Sequence, residues 1–120
     1  MDALDDLAAL FKVLMHPTRL AILEILRQGE ECVCHMEATL GLRQAYISQQ
    51  LSVLREAGLV SVRRDGWNIF YQVTQPQVYD VIDAARAMLP KSSQKRLATF
   101  LTMPRAGACE CPKCQVRAVA

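Results

Sequence analysis

The chain has 120 residues, 52% of them hydrophobic, and a formal net charge of +2. This length allows one compact domain but hardly two, and no apolar run approaches the roughly 18 residues needed to cross a bilayer. Because the N-terminus is acidic and not typical of a signal peptide, we expect a cytoplasmic protein. In that reducing compartment the five cysteines are more typical of ligands or redox groups than of a disulfide framework.

Charge is unevenly distributed along the chain. Residues 2–15 hold three aspartates and one lysine, a net charge of −2, whereas the segment from Arg86 onward holds seven basic residues and one glutamate, a net charge of +6. This asymmetry is compatible with a polyanionic partner, and equally with a solvated basic tail.

The first half of the chain is predicted to be helical. Residues 2–15 repeat apolar side chains with helical spacing, and Pro17 ends this helix because the residue before a proline disfavours helical geometry. A second helix is predicted over residues 17–27, a short third over 32–40 and a fourth over 44–57. The last two are joined by a short turn that contains a glycine, which is the helix-turn-helix pattern.

A hairpin is predicted after the fourth helix. Val60 and Val62 alternate with polar residues, which is typical of a half-buried strand. Asp65-Gly66 predicts a tight turn, because both residue types tolerate positive φ. Residues 67–73 form the second strand, in which Trp67 is expected to pack against the hairpin or the core.

A helix rich in amide and hydroxyl groups, beside a hairpin with two arginines, is what reading a nucleic-acid groove requires. The candidates for base edges are Gln44, Gln49 and Gln50. Those for phosphates or edges are Arg43, Tyr46 and Ser48. Those on the hairpin, for backbone or minor groove, are Arg63, Arg64 and Asn68.

The C-terminal third is predicted to hold two more helices. Residues 78–89 carry an apolar stripe that Pro90 ends, and this stripe and the first helix are expected to pair with a second copy of the chain. We place a DNA-binding and dimerisation domain at residues 1–90. Residues 91–120 form a C-terminal segment, with a last helix over about residues 93–101 and a flexible tail that contains cysteines.

Several motifs resemble the ArsR/SmtB family of metal- and metalloid-sensing repressors: His16-Pro17-Thr18-Arg19-Leu20, Glu31-Cys32-Val33-Cys34-His35, and Leu54-Arg55-Glu56-Ala57-Gly58-Leu59-Val60. The resemblance covers residues 5–75 almost continuously. It implies a mainly α (α+β) fold, a homodimeric winged helix-turn-helix with a two-stranded β-wing. It also implies a repressor, not an enzyme, that binds operator DNA without a cofactor and leaves it when a metal binds.

The chain departs from the family pattern at three places. Glu37 replaces the third cysteine of the arsenic-sensor pattern. Arg43 and Gln50 stand where the family often has Ser and His, so the operator sequence cannot be carried over. Asp80 and Asp83 match part of the family's zinc site on the last long helix, but its histidines are missing, and we do not expect a zinc site of that type.

Five thiols are the candidate metal ligands: Cys32, Cys34, Cys109, Cys111 and Cys114. On a regular helix Cys32 and Cys34 would diverge by roughly 200°, so binding one ion requires a distorted helix start, where amide groups and the dipole favour thiolates. Soft thiolates select As(III), Cd(II), Pb(II), Hg(II), Cu(I) or Zn(II). We expect As(III) first, then Cd(II) or Pb(II).

The number of ligands favours a combined site. As(III) and Pb(II) take about three ligands, and Cd(II) and Zn(II) commonly take four, so tail cysteines of the same or the partner subunit are expected to join Cys32 and Cys34. The rival arrangement is a separate site in the tail, and the structural alternative is that Cys32 and Cys34 are small buried hydrophobes. His35 and Glu37 are additional ligand candidates, although both are expected to face solvent.

Two other functions use the same thiols. A redox- or sulfide-sensing repressor would link Cys32 or Cys34 to a tail cysteine. A thiol-disulfide oxidoreductase that uses Cys111 and Cys114 is less favoured, because such enzymes place the motif at a helix start after a strand. Hydrolytic or nucleotide chemistry is not indicated. The sequence has no Gly-rich phosphate loop, and its two histidines do not form a triad or zinc-protease motif.

Overall fold

The computed structural model describes residues 1–102. Six helices and three strands follow one another along these residues: α1 (Asp2–Leu14), α2 (Pro17–Leu26), β1 (Glu31–Cys32), α3 (Val33–Leu40), α4 (Gln44–Glu56), β2 (Val60–Asp65), β3 (Asn68–Val73), α5 (Val78–Ala87) and α6 (Lys91–Thr102). Helices α3 and α4 are the predicted helix-turn-helix, and β2 and β3 are the predicted wing. The mainly α winged helix-turn-helix fold is confirmed.

The core lies where α2, α3 and α4 meet. Its largest fully buried side chains are Ile22, Leu23, Met36, Ile47, Leu51 and Leu54. Burying one such side chain contributes about 1.5–3 kcal/mol relative to leaving it exposed. The predicted apolar stripe of α4 is therefore confirmed, and the opposite face of α4 remains available to a partner.

The sheet has three strands where the sequence predicts two. The additional strand, β1, contains only Glu31 and Cys32 and pairs antiparallel with β3, so that the strand order is β1-β3-β2. A strand of two residues is too short to show an alternating pattern, and this is why the sequence gives no sign of it. The cysteine segment is consequently part of the same sheet as the wing.

The wing turn lies one residue further along the chain than predicted. Asp65 pairs with Asn68, which makes Gly66 and Trp67 the central residues instead of Asp65 and Gly66. Gly66 has a φ of 61°. Every residue with positive φ among residues 1–102 is a glycine, so the φ of Trp67 is negative. This combination matches a type II′ turn, which has glycine at the first central position.

An arginine at the end of α2 holds α5. Arg27 donates hydrogen bonds to both carboxylate oxygens of Glu24 and of Asp83, at 2.8–3.0 Å, and its guanidinium carbon lies 4.4 Å from the centroid of the Tyr79 ring. The Tyr79 hydroxyl donates to the backbone carbonyl of Leu23 at 2.6 Å, and burial raises the pKa of this hydroxyl. We call this group of residues the α2–α5 junction.

The α2–α5 junction also gives Asp83 a role that the sequence did not predict. Asp83 matches part of the family's zinc site, but the structure places it in an ion pair with Arg27 at 2.8 Å. The hydrogen bond from Arg27 lowers the pKa of Asp83. Asp83 therefore serves to attach α5 to α2.

The predicted last helix is confirmed as α6 (Lys91–Thr102). The tail with Cys109, Cys111 and Cys114 lies outside the described residues, and the domain boundary at residue 90 stays a prediction. Among the helices of residues 1–102, none has the length and apolar character that crossing a membrane would require.

Candidate nucleic-acid interface and thiol site

Cys32 and Cys34 lie side by side where β1 meets α3. Cys32 has φ −86° and ψ 160°, extended values, and is the N-cap residue of α3. Its Sγ atom lies 2.7 Å from that of Cys34. The expected divergence of roughly 200° applies to two residues inside one helix, and here only Cys34 is inside. The two sulfur atoms therefore lie close enough to bind one ion when both are thiolates.

The two cysteines differ in their surroundings. Cys32 is 4% exposed, and its Sγ accepts the backbone N–H of His35 at 3.4 Å, which caps the helix. Cys34 is half-buried and takes part in a disulfide bond. The pair therefore combines a structural role for Cys32 with thiol chemistry at Cys34. We call residues 30–34 the thiol corner.

His35 is buried, whereas the sequence predicted that it faces solvent. It is 3% exposed, and its Nε2 atom lies 4.0 Å from Oε2 of Glu31, which is 2% exposed. The chain passes directly from β1 to α3 at Cys32, which brings Glu31 of the strand close to His35 in the first turn of the helix. Glu37 is exposed, as expected. Within residues 1–102 no group of three or more His, Cys, Asp or Glu side chains is arranged to hold a metal ion.

An arginine of the wing links β2 to the thiol corner. Arg63 donates to both carboxylate oxygens of Glu30, at 2.6 and 3.0 Å, and its guanidinium carbon lies 4.9 Å from the centroid of the Phe70 ring. Phe70 in turn pairs with Cys32 across the sheet. The hydrogen bond to Glu30 raises the pKa of Arg63. Cys32 is therefore connected to the wing through the sheet and through Arg63.

Sequence reasoning did not single out Glu30. Its partner Arg63 is 33 residues away, and an isolated glutamate in a loop forms no sequence pattern from which such a contact could be predicted. The only available signal was its position two residues before Cys32.

Most predicted DNA-contacting residues of α4 lie on its outer surface. Arg43, Gln44 and Gln49 are exposed, and Ser48 is half-buried. Tyr46 is 36% exposed. The structure thus presents these five side chains together at the first half of α4, on the face away from the core.

Tyr46 is tied to the start of α2. Its hydroxyl lies 3.3 Å from Nε2 of His16, whose Nδ1 accepts the backbone N–H of Thr18 at 3.2 Å. Because Nδ1 accepts, neutral His16 carries its proton on Nε2 and donates it to the Tyr46 oxygen. The Tyr46 hydroxyl proton then remains available for an acceptor such as a phosphate.

Gln50 does not have the position that was predicted for it. It is 6% exposed, and its side-chain carbonyl accepts from Nε of Arg19 at 2.8 Å. Arg19 also donates to the backbone carbonyl of Val13 at 3.0 Å. Gln50 therefore joins α4 to α2 and to the end of α1, and its amide is not presented to a base edge.

The wing carries exposed side chains of two kinds. Arg64 is exposed and Asn68 is half-buried. Trp67 was expected to pack against the hairpin or the core, and this prediction is wrong, because the side chain is 100% exposed. The shifted turn explains the difference, since it places Trp67 at the tip of the hairpin, beyond any neighbouring strand.

Comparison with known proteins agrees with this geometry. The family model described as "Bacterial regulatory protein, arsR family" matches residues 16–62. The chain is 45% identical over 83 residues to a biofilm growth-associated repressor of Agrobacterium fabrum, covering 69% of this chain and 71% of that one. It is 40% identical over 88 residues to a probable mercury resistance operon repressor of Streptomyces lividans, covering 70% and 67%.

A solved structure shows the same fold. The solution structure of a homodimeric winged helix-turn-helix DNA-binding domain from Mycobacterium bovis, described as a possible ArsR-family transcriptional regulator, superposes with a TM-score of 0.65. The two share 28% sequence identity over 80% of this chain and 85% of that one. The matched part includes the helix-turn-helix, and the family match also includes the thiol corner.

Proposed function

Because the chain belongs to the arsR family of bacterial regulatory proteins, we propose that it is a homodimeric repressor that binds operator DNA and is released when a thiophilic metal or metalloid ion binds Cys32 and Cys34. The observation that carries this proposal is the 2.7 Å separation of the two sulfur atoms at the start of the helix-turn-helix. As(III) is our first choice of ion, followed by Cd(II) and Pb(II). Zn(II) is a further candidate, and the mercury operon repressor adds Hg(II).

The outer face of α4 would enter the major groove. Gln44 and Gln49 have amide groups that pair with base edges, adenine above all, and Arg43, Tyr46 and Ser48 would contact phosphates or edges. On the wing, Arg63, Arg64 and Asn68 would contact the backbone or the minor groove. In a dimer, two α4 helices would occupy successive major grooves, roughly 34 Å apart.

Exposed apolar side chains on α1 and after α5 support the dimer. Leu4, Leu7 and Phe11 of α1 are 49–61% exposed, and Met88 and Leu89 are 86% and 42% exposed. A set of large apolar residues this exposed is typical of an interface. Their burial against a second copy would join α1 and α5 of the two subunits.

Ion binding has to rearrange the thiol corner. Two sulfur atoms bound to one tetrahedral ion at about 2.3 Å lie roughly 3.8 Å apart, more than the 2.7 Å observed. Cys32 would also give up the N–H of His35 that it accepts. The remaining ligands would come from Cys109, Cys111 and Cys114, on the same subunit or its partner.

This rearrangement would weaken DNA binding by two routes. Cys32 caps α3, the helix that supports α4, and it pairs with Phe70 of the wing. Ion binding and DNA binding would therefore oppose each other, with a coupling free energy of about 1–3 kcal/mol. The link from Glu30 to Arg63 would carry the same movement to a residue that touches DNA.

The test uses a DNA duplex that the protein selects from a random library. The duplex is labelled with fluorescein, and the anisotropy of the label measures binding. As(III), Cd(II), Pb(II), Zn(II) and Hg(II) are added singly to the reduced wild-type complex. The ion that releases the duplex is called the active ion. A double substitution, Cys32→Ser with Cys34→Ser, should bind the duplex normally and keep it when the active ion is added. The matched control replaces Cys109, Cys111 and Cys114 by Ser, which should weaken the response without removing it. Release of the double variant at the wild-type ion concentration would contradict the assignment.

A redox-sensing repressor is the second candidate, because Cys34 takes part in a disulfide bond. Oxidation would then alter the same junction of β1 and α3 without any ion. Reductant should restore DNA binding if this candidate is correct. A redox sensor would also keep its DNA when arsenite is added to the fully reduced complex, whereas an arsenite sensor would release it. This difference distinguishes the two mechanisms.

A further inference from the structure

Trp67 is the single tryptophan of the chain, and its side chain is 100% exposed. An indole ring of this size buries roughly 150–250 Å² when it finds a partner, so full exposure leaves a large apolar surface in water. Within residues 1–102 the ring packs against no other side chain, because Trp67 is a central residue of the hairpin tip. The ring is therefore free to meet a second molecule.

The position of the tip is fixed by the base of the wing. Leu54 at the end of α4 accepts the backbone N–H of Leu59 at 3.0 Å, and Leu59 accepts that of Thr74 at 2.9 Å. Leu54, Leu59 and Val60 are 0–3% exposed. The hairpin thus starts from the buried end of α4 and is anchored to it by these contacts.

The length of the wing suits the spacing of DNA grooves. β2 has six residues, which at about 3.3 Å per residue extend roughly 17–20 Å. One turn of duplex DNA measures roughly 34 Å, so the minor groove next to a major groove is about half that distance away. When α4 lies in a major groove, the wing is therefore long enough for its tip to reach the neighbouring minor groove.

The chemistry of the indole ring suits that groove. The Nε1–H group is a hydrogen-bond donor only, and the minor-groove edge of an A·T pair presents only acceptors, whereas a G·C pair adds a donor. Apolar side chains of other proteins are known to enter the minor groove. Arg64, exposed beside the turn, is placed to neutralise a phosphate of the same groove.

We propose that Trp67 is a specificity-determining residue of the wing, whose ring enters the operator minor groove and donates its Nε1–H to an A·T base pair about half a helical turn from the α4 contacts. The inference rests on the proposed DNA-binding function. Trp67 would supply apolar contact and a preference for A·T, and Arg64 would supply electrostatic attraction.

Salt dependence separates these two contributions. Trp67→Ala should weaken binding about tenfold at every salt concentration, because it removes one hydrogen bond and an apolar contact, and neither releases counterions. Arg64→Ala should instead reduce the slope of log K against log salt concentration by about 1. Because Trp67 is fully exposed, its replacement leaves the fold intact, which far-ultraviolet circular dichroism checks.

Two readouts report on the ring itself. The emission of Trp67, the single tryptophan, should shift or be quenched when the selected duplex saturates the protein, while the label on the DNA reports binding independently. Selection with Trp67→Phe, which keeps a ring but lacks the N–H donor, should lose the A·T preference at the wing position and keep the α4 sequence. These results together support the inference.

The contrary results are equally distinct. Emission that stays unchanged at saturation, Trp67→Ala affinity within twofold of the wild type, or the same A·T preference in the Trp67→Phe selection would each overturn it while the proposed DNA binding stands. If neither wild type nor variant binds any duplex, the proposed function and this inference both fail.

Discussion

The thiol corner and the α2–α5 junction attach the helix-turn-helix to its surroundings by different chemistry. At the α2–α5 junction one guanidinium meets four carboxylate oxygens and an aromatic ring. The thiol corner also has a guanidinium, that of Arg63, on the Glu30 carboxylate and over the Phe70 ring, but it adds sulfur contacts: Cys32 accepts an N–H at 3.4 Å and lies 2.7 Å from Cys34. Guanidinium groups keep their partners at any physiological pH, whereas thiolates exchange theirs when a soft ion arrives. Under the proposed function, the molecule would thus combine a fixed attachment with a responsive one.

The largest effect is expected at the fixed attachment. Arg27→Ala should lower the free energy of unfolding by about 2 kcal/mol, because it removes hydrogen bonds to two carboxylates and the contact with the Tyr79 ring. Urea unfolding measures the change. Arg86→Ala is the control, since Arg86 lies 3.7 Å from Asp83 and such a pair contributes about 0–1 kcal/mol. Equal losses in the two variants would show that Arg27 is not the centre of the junction.

The responsive attachment should lose coupling when its link to the wing is cut. Glu30→Ala removes the acceptor of Arg63, so the factor by which the active ion weakens duplex binding should fall about fivefold. Glu37→Ala, an exposed change on α3, should keep the wild-type factor. Anisotropy with and without ion gives both factors. An unchanged factor in Glu30→Ala would mean that the wing does not carry the response.

Arg19 forms a second attachment of α2, to Gln50 of α4. Gln50 and its neighbour Gln49 should therefore differ in what their replacement changes. Gln50→Ala should lower the free energy of unfolding by about 1 kcal/mol, because it removes the acceptor of the Nε–H of Arg19. Gln49→Ala should leave stability unchanged and weaken duplex binding, since Gln49 is exposed. Urea unfolding and anisotropy on the same samples test the pair. The reverse assignment of the two effects would return Gln50 to the DNA surface.

The smallest effect concerns Asp83, whose carboxylate is about half exposed. Asp83→Asn should cost about 0.5 kcal/mol at pH 7. Because Arg27 lowers the pKa of Asp83 in the folded state, this contribution is complete above the unfolded pKa of about 3.9 and is lost as pH falls through the lowered folded value. The unfolding curves of wild type and variant should therefore converge in acid. A difference that persists there would assign the effect to packing.

The helices were predictable because each carries its own pattern. Leu51 and Leu54 recur with helical spacing, Pro17 starts α2 and Gly41 ends α3 with a φ of 66°, all of which are local signals. The same holds for β2, in which Val60 and Val62 alternate with polar residues. The motif around Cys32 and Cys34 identified the family, and the family match over residues 16–62 agrees with it.

The contacts that define the site could not be predicted in the same way. Gln50 looks like any polar residue of α4 until its partner Arg19, 31 residues away, is known. The position of the turn depends on pairing between two strands, so Trp67 could not be placed at the tip from sequence alone. Cys32 lies in a strand too short to show a period, and its proximity to Cys34 follows from that strand.

The coupling of ion binding to DNA release can be measured most directly in one titration. Reduced protein bound to labelled duplex is titrated with Cd(II) while ultraviolet absorption of the metal–thiolate bond and anisotropy of the label are recorded together. We predict that both signals change in parallel and reach their plateau at the same ratio of ion to protein, and that the anisotropy stays constant when Cys32 and Cys34 are replaced by Ser, even if Cys109, Cys111 and Cys114 still bind Cd(II). A complex that remains intact after the thiolate signal has saturated would contradict this mechanism.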